Sequence, residues 1–171
     1  MYKEVIFLFN IGDRIVYPRQ GVGVINLIEE KEFNGKLQKY YNIQILHNSL
    51  KLMLPASSAE TCHLRHISDE KELDDMLYEI NNYHCAPIEA PRTRAISKER
   101  LQNNTDKIKK GTLKNCAEVI CELTEANKTH PLNTSEKELL NNTKKIIVDE
   151  ISLVKHISVH EASDLLNNSL N

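Results

Sequence analysis

The chain has 171 residues, no Trp, five Gly, five Pro and a formal net charge of −2. With 40% apolar and 27% charged residues it is neither collagenous nor wholly disordered, and its mild acidity argues against a generic polycation. The length predicts one domain or two small ones, long enough to bury real cores.

Val5 to Phe9 is an apolar run of five residues. A membrane-spanning helix needs about 20, and no small-residue cleavage site follows, so neither a span nor a signal peptide is expected. Cys62, Cys85, Cys116 and Cys121 contain no C-x-x-C pair. Reduced, buried or partly buried thiols are expected rather than a disulfide framework or a zinc knuckle.

Residues 4 to 66 read as short strands. Ile11 to Pro18 ends where proline interrupts ladder pairing. Gly21 and Gly23 open a β-rich run from Val22 to Ile28. Asn34-Gly35 tolerates the left-handed geometry of a tight hairpin turn. Tyr41, Ile43 and Ile45 alternate with Asn42 and Gln44, the period of a half-buried strand. After His47-Asn48-Ser49, Leu50, Leu52 and Leu54 are expected on one face, with Lys51 and Met53 on the other. So many short strands must pack on themselves, which a small, curved, barrel-like sheet achieves.

The pattern switches near Ser68. Leu73, Met76, Leu77 and Ile80 recur at helical spacing, behind Asp69 and Glu72 as a capping pair. Residues 81 to 91 read as a polar link stiffened by Pro87 and Pro91. A helix is expected from about Lys98 to Ile108, stopped at Gly111. Thr112 caps the next helix, which Thr129-His130-Pro131 breaks. Asn133 with Glu136 starts a long helix through Ile151, and Ser158 with Glu161 caps a last one. His156 and His160 flank that last break and are expected to serve its polar capping. The expectation is an α+β chain in three stretches: a β domain at 1–67, a helix and linker at 68–91, and an all-α domain at 92–171.

Charge is unevenly spread. Residues 92–115 hold eight Lys or Arg and two acids, net +6, between acidic stretches. Such a segment can meet phosphates, and it can equally be a solvated helix face. Lys107, Lys109 and Lys110 sit at a helix C-terminus, where the helix dipole alone accounts for them.

Catalytic signals are thin. There is no complete phosphate loop, no G-x-S-x-G and no H-E-x-x-H. Asp13, the Asp74-Asp75 pair and the His63/His66 pair read as turn or surface residues rather than acid catalysts or metal ligands. No enzyme activity, cofactor or metal is expected. Lys51 and Met53, with Gln44, can form a protein-docking face or ordinary exposed surface.

Ile11-Gly12-Asp13-Arg14-Ile15-Val16-Tyr17-Pro18 followed by Gly21 resembles the start of the CarD family, bacterial regulators that bind RNA polymerase. The likeness continues through Asn34-Gly35, Tyr40-Tyr41, Leu50 to Pro55, Glu60 to Arg65, Lys109 to Leu123 and Ser135 to Ile151, nearly the whole chain. Members share their N-terminal module with the transcription-repair coupling factor. The resemblance implies a Tudor-like β domain docking on the polymerase β subunit and a helical domain touching promoter DNA. It implies a cytoplasmic monomer that contacts promoter DNA largely without sequence preference and stabilises the open complex. The alternative is a protein-only adaptor that docks on polymerase without DNA contact.

On this resemblance the polymerase-contacting positions fall on Lys31, Phe33 and Met53, with Lys51 beside them. Met53 stands where the family pattern has a basic side chain. The DNA-contacting positions fall on Arg92, Arg94, Ile96, Ser97, Lys98, Arg100 and Lys137. Ser97 stands where the family carries a tryptophan that wedges into the minor groove, and Ile96 is its apolar neighbour. Glu99 replaces an arginine, Gln102 replaces a lysine, and Arg100 retains a basic residue.

Overall fold

In the computed structural model, which describes residues 8–84 and 93–170, the chain divides between Ile67 and Ser68 into two units. Residues 85–91 of the expected link and the candidate Arg92 lie outside the described residues.

The first unit is a five-stranded antiparallel sheet: β1 (Arg14–Tyr17), β2 (Gly21–Phe33), β3 (Lys36–Ile45), β4 (Lys51–Pro55) and β5 (Arg65–His66). The spatial order is β4-β3-β2-β1-β5, so β4 and β5 are the edges. Tyr41, Ile43 and Ile45 are buried as their period predicts, with Ile15, Ile25 and Leu54. Phe9 meets the Tyr41 ring edge-on at 5.8 Å. Gly23 is required by close approach, since a Cβ there would lie 2.8 Å from the backbone oxygen of Gln44. Asn34 and Gly35 both take positive φ, 52° and 72°, and join Phe33 directly to its partner Lys36.

Two details depart from simple alternation. Leu54 is buried and Leu52 half-buried, but Leu50 is exposed. It precedes β4 in a turn where Ser49 is left-handed and the Asn48 side chain accepts the Leu50 N–H. Between Ile25 and Leu27, β2 also carries a β-bulge. Ile25 faces inward opposite Ile43, while Leu27, two residues on, pairs with the outward Asn42.

The second unit has five helices: α1 (Glu70–Asn81), α2 (Arg94–Lys110), α3 (Leu113–Thr129), α4 (Thr134–Lys155) and α5 (Val159–Ser169). The capping boxes Asp69/Glu72, Asn133/Glu136 and Ser158/Glu161 all form. Leu73, Met76 and Ile80 of α1 share one core with Ile120, Leu123, Ile147, Ile151, Ala162 and Leu166. The helix expected between two domains is therefore part of the second unit. The buried Glu150 carboxylate accepts the Ser68 N–H at 2.8 Å, and Lys155 of α4 meets Asp74 of α1 at 2.7 Å.

Helix α2 starts a turn earlier than the spacing suggested. Thr93 caps it, its hydroxyl accepting the Ile96 N–H at 3.3 Å. Arg94, Ile96 and Ser97 consequently stand on a helix. Of the two histidines at the last break, only His156 takes part, as the left-handed residue ending α4. His160 lies within α5, exposed, 3.7 Å from Asp164. Cys116 and Cys121 are buried and Cys62 half-buried, and among the described residues no disulfide joins any of the three. Burial pushes the Cys121 thiol up to about 11, so it is a packing residue rather than a nucleophile. Among the described residues, no helix is long and apolar enough to cross a membrane.

Candidate functional site

Two surfaces carry the candidate residues, one on each unit. The first is the outward face of the sheet. Downstream of the bulge, Leu27, Glu29, Lys31 and Phe33 share the side occupied by Tyr40, Asn42 and Gln44 of β3 and by Lys51 and Met53 of β4. All four sequence candidates, Lys31, Phe33, Lys51 and Met53, therefore lie on one face and are exposed.

That face is held together by short polar contacts. The Lys31 ammonium lies 3.1 Å from the Glu29 carboxylate and 3.5 Å from the Met53 sulfur. Asn42 donates to the same Glu29 carboxylate at 2.7 Å. The Asn42 amide, and then Lys31, hold the Glu29 carboxyl below its usual range. Lys31 thus leans along the face toward β4 while staying exposed.

Past Tyr40 the β2–β3 ribbon has no third strand among the described residues. Phe33, 59% exposed, and Leu37, 75% exposed, sit near the tip of this two-stranded arm. Their cross-strand partners are Lys36 and Glu32, respectively, so the two apolar side chains lie on opposite sides of it. Phe33 lies six residues along β3 from the level of Met53, about 20 Å at the strand rise. The face is therefore elongated, with Met53 and Lys51 at one end and Phe33 at the other.

The second surface is a groove of about 440 Å³ between the first turns of α2 and α4. Arg94, Ser97, Lys98 and Leu101 line one wall; Asn133, Thr134 and Ser135 line the other. Arg94 and Lys98 are exposed and make no ion pair among the described residues. Thr134 and Ser135 are the first two residues of α4, where backbone N–H groups lack helical partners and the dipole favours anions. Lys137 is exposed one turn beyond Asn133 on the same helix side. Ile96 is half-buried and does not line the groove.

Arg100 departs from expectation. Its guanidinium is turned inward, 15% exposed, onto the fully buried carboxylate of Glu136. Nη2 lies 2.6 Å and Nε 2.8 Å from the same oxygen, Oε1. A side chain so engaged is not free to meet a phosphate. The rest of the basic segment is also partly neutralised. Lys107 contacts Glu118 at 3.3 Å and Glu122 at 3.6 Å on α3, and Lys109 contacts Asp106 at 3.0 Å. The +6 stretch is thus not one continuous patch. Within it, the first two turns of α2 present Arg94 and Lys98 without an acid partner among the described residues.

The Glu136 side chain was legible in sequence as a cap, but not as a buried ion-pair partner. Nothing local signals that burial, because it arises from α2 packing across α4. The chemistry these surfaces can perform is binding: the sheet face offers apolar and cationic contacts, and the groove offers cations, hydroxyls and helix-terminal N–H groups.

Comparison with known proteins agrees across both units. Residues 9–68 match the CarD-like/TRCF RID domain, and residues 89–167 match the CarD C-terminal domain. A Bacillus subtilis (strain 168) protein described as "Putative transcription factor YdeB" is 35% identical over 152 residues, 88% of this chain and 95% of that protein.

Proposed function

The chain belongs to the CarD family, non-enzymatic transcription factors, and we propose that it is an RNA polymerase-associated regulator that docks on the polymerase β subunit and touches promoter DNA. The observation that carries this reading is the shared outward face of Lys31, Phe33, Lys51 and Met53, on the unit that matches the polymerase-interacting domain. Phe33 supplies an apolar anchor, and Lys31 and Lys51 supply charge around Met53.

The helical unit then meets DNA as a tethered second module. Arg94, Lys98 and Lys137 contact phosphates, with Arg92 just upstream, and the open ends of Thr134 and Ser135 offer further donors. Tethering raises the effective concentration, so weak intrinsic DNA affinity is enough. Ser97 cannot intercalate or stack as an aromatic wedge does. With Ile96 half-buried, the contact is one of backbone positioning, largely independent of base sequence. A module that binds the melted promoter better than the closed one shifts the equilibrium toward melting by its differential affinity alone. This reading places the protein in the bacterial cytoplasm, acting as a monomer on polymerase.

Pairing of Arg100, Lys107 and Lys109 within the helical unit favours the second reading, a protein-only adaptor. Polymerase pull-down followed by open-complex lifetime separates the two. The DNA-contact reading expects lifetime to fall in an Arg94→Glu/Lys98→Glu variant that still binds polymerase. An unchanged lifetime in that variant supports the adaptor, and failure of the full chain to bind polymerase overturns both.

A further inference from the structure

Helix α2 is unevenly fixed. Its two fully buried side chains, Asn104 and Ile108, both lie in the second half. In the first half Ile96, Ser97, Arg100 and Leu101 are only half-buried, and no side chain is fully enclosed. The polar side chain nearest that half in the core, Asn104, has neither its amide nitrogen nor its oxygen hydrogen-bonded within the described residues. Apolar burial and the Asn104 amide therefore do little to orient the segment that carries Arg94 and Lys98.

The Arg100–Glu136 contact does orient it. Glu136 Oε1 receives both Nη2 and Nε of Arg100, at 2.6 and 2.8 Å. Its Oε2 accepts the Asn133 backbone N–H at 3.1 Å, and the Asn133 side chain accepts the Glu136 N–H at 2.9 Å. One buried carboxylate thus joins the middle of α2 to the capping box that starts α4. The groove residues lie on either side of this joint: Arg94, Ser97 and Lys98 before Arg100, and Thr134 and Ser135 between Asn133 and Glu136. Buried ion pairs add little net stability over apolar contacts but demand strict geometry, which suits them to fixing register. A lysine cannot reproduce the two-point approach of a guanidinium.

We propose that Arg100 and Glu136 form a positioning pair, which sets the spacing between the cations of α2 and the first turn of α4 without itself touching DNA. This rests on the promoter-contact reading and adds to it a residue pair that acts through Arg94 and Lys98.

Charge alone and positioning give opposite signs for one substitution. Glu136→Gln removes a negative charge and releases Arg100, so a purely electrostatic role expects tighter DNA contact. Positioning expects the reverse. The experiment measures the lifetime of polymerase–promoter open complexes carrying the full-length protein, together with amide hydrogen exchange of the free protein. Glu136→Gln is expected to shorten the lifetime roughly threefold to tenfold. It should also speed exchange at residues 97–103 while α3 and α5 keep their protection. A lifetime unchanged or lengthened in the folded variant overturns the proposal, as does faster exchange spread evenly over all five helices. If Glu136→Gln does not fold, Arg100→Lys is read instead. It should give a smaller shortening with the same local exchange signature, and an unchanged lifetime overturns the proposal. The Arg94→Glu/Lys98→Glu variant keeps the two failures apart. Unchanged lifetime there removes the promoter-contact reading and this inference with it. Shortened lifetime there, with none in Glu136→Gln, removes the positioning pair alone.

Discussion

The two ends of α2 carry the same kind of residue in different states. At its start Arg94 and Lys98 face a groove with no acid partner among the described residues. Toward its end Lys107 lies between Glu118 and Glu122, and Lys109 lies on Asp106. Near the middle Arg100 is turned into the unit. The difference teaches that the net charge of a segment does not define a binding surface. A phosphate must compete with whatever acid already sits beside each cation, and at Arg100 that competitor is a buried carboxylate at short range.

The largest effect should come from the middle of the helix. Arg100→Met leaves the Glu136 carboxylate buried without its cation, and should lower unfolding free energy by about 3–5 kcal/mol in urea titration. At the helix start the effect belongs to function rather than stability. Arg94→Glu should leave the urea midpoint nearly unchanged and reduce the slope of log lifetime against log salt by roughly one phosphate contact. A comparable change on the other unit tests whether docking is separable from DNA contact. Phe33→Ala should weaken polymerase binding by about 1–2 kcal/mol, close to tenfold in Kd, while leaving the helical unit's melting intact. The smallest effect is expected at the helix end. Lys107→Met should cost no more than about 1 kcal/mol and leave promoter-complex lifetime as it is, since its partners are partly exposed. A lifetime loss at Lys107 equal to that at Arg94 would break the contrast between the two ends.

Much of the helical unit is legible before folding, because caps are local. Asp69/Glu72, Asn133/Glu136 and Ser158/Glu161 need only four consecutive residues to form, and each does. Strand alternation at Tyr41, Ile43 and Ile45 is legible for the same reason. What escapes is whatever depends on partners far along the chain. The inward turn of Arg100 requires Glu136, 36 residues away, and the membership of α1 in the helical core requires α3, α4 and α5. The first turn of α2 is not legible from apolar spacing, because Arg94 to Ser97 holds one large apolar residue, Ile96.

The β-bulge at Asn26 has a consequence for how this surface can change. In an unbroken strand Ile25, Leu27, Glu29, Lys31 and Phe33 would all fall on one side, so an inward Ile25 would carry two charged side chains toward the core. The extra residue reverses the parity, so Leu27, Glu29, Lys31 and Phe33 face out while Ile28 keeps the inner side. Deleting Asn26 would therefore take out the bulge without moving another side chain to the opposite face. Ile25 would be followed directly by Leu27, so Ile25 and Ile28 would stay inward and Leu27 and Glu29 outward. Substitutions along the arm alter its surface one side chain at a time, whereas straightening β2 with Asn26 still in place would invert its outer half as a whole, burying Glu29 and exposing Ile28.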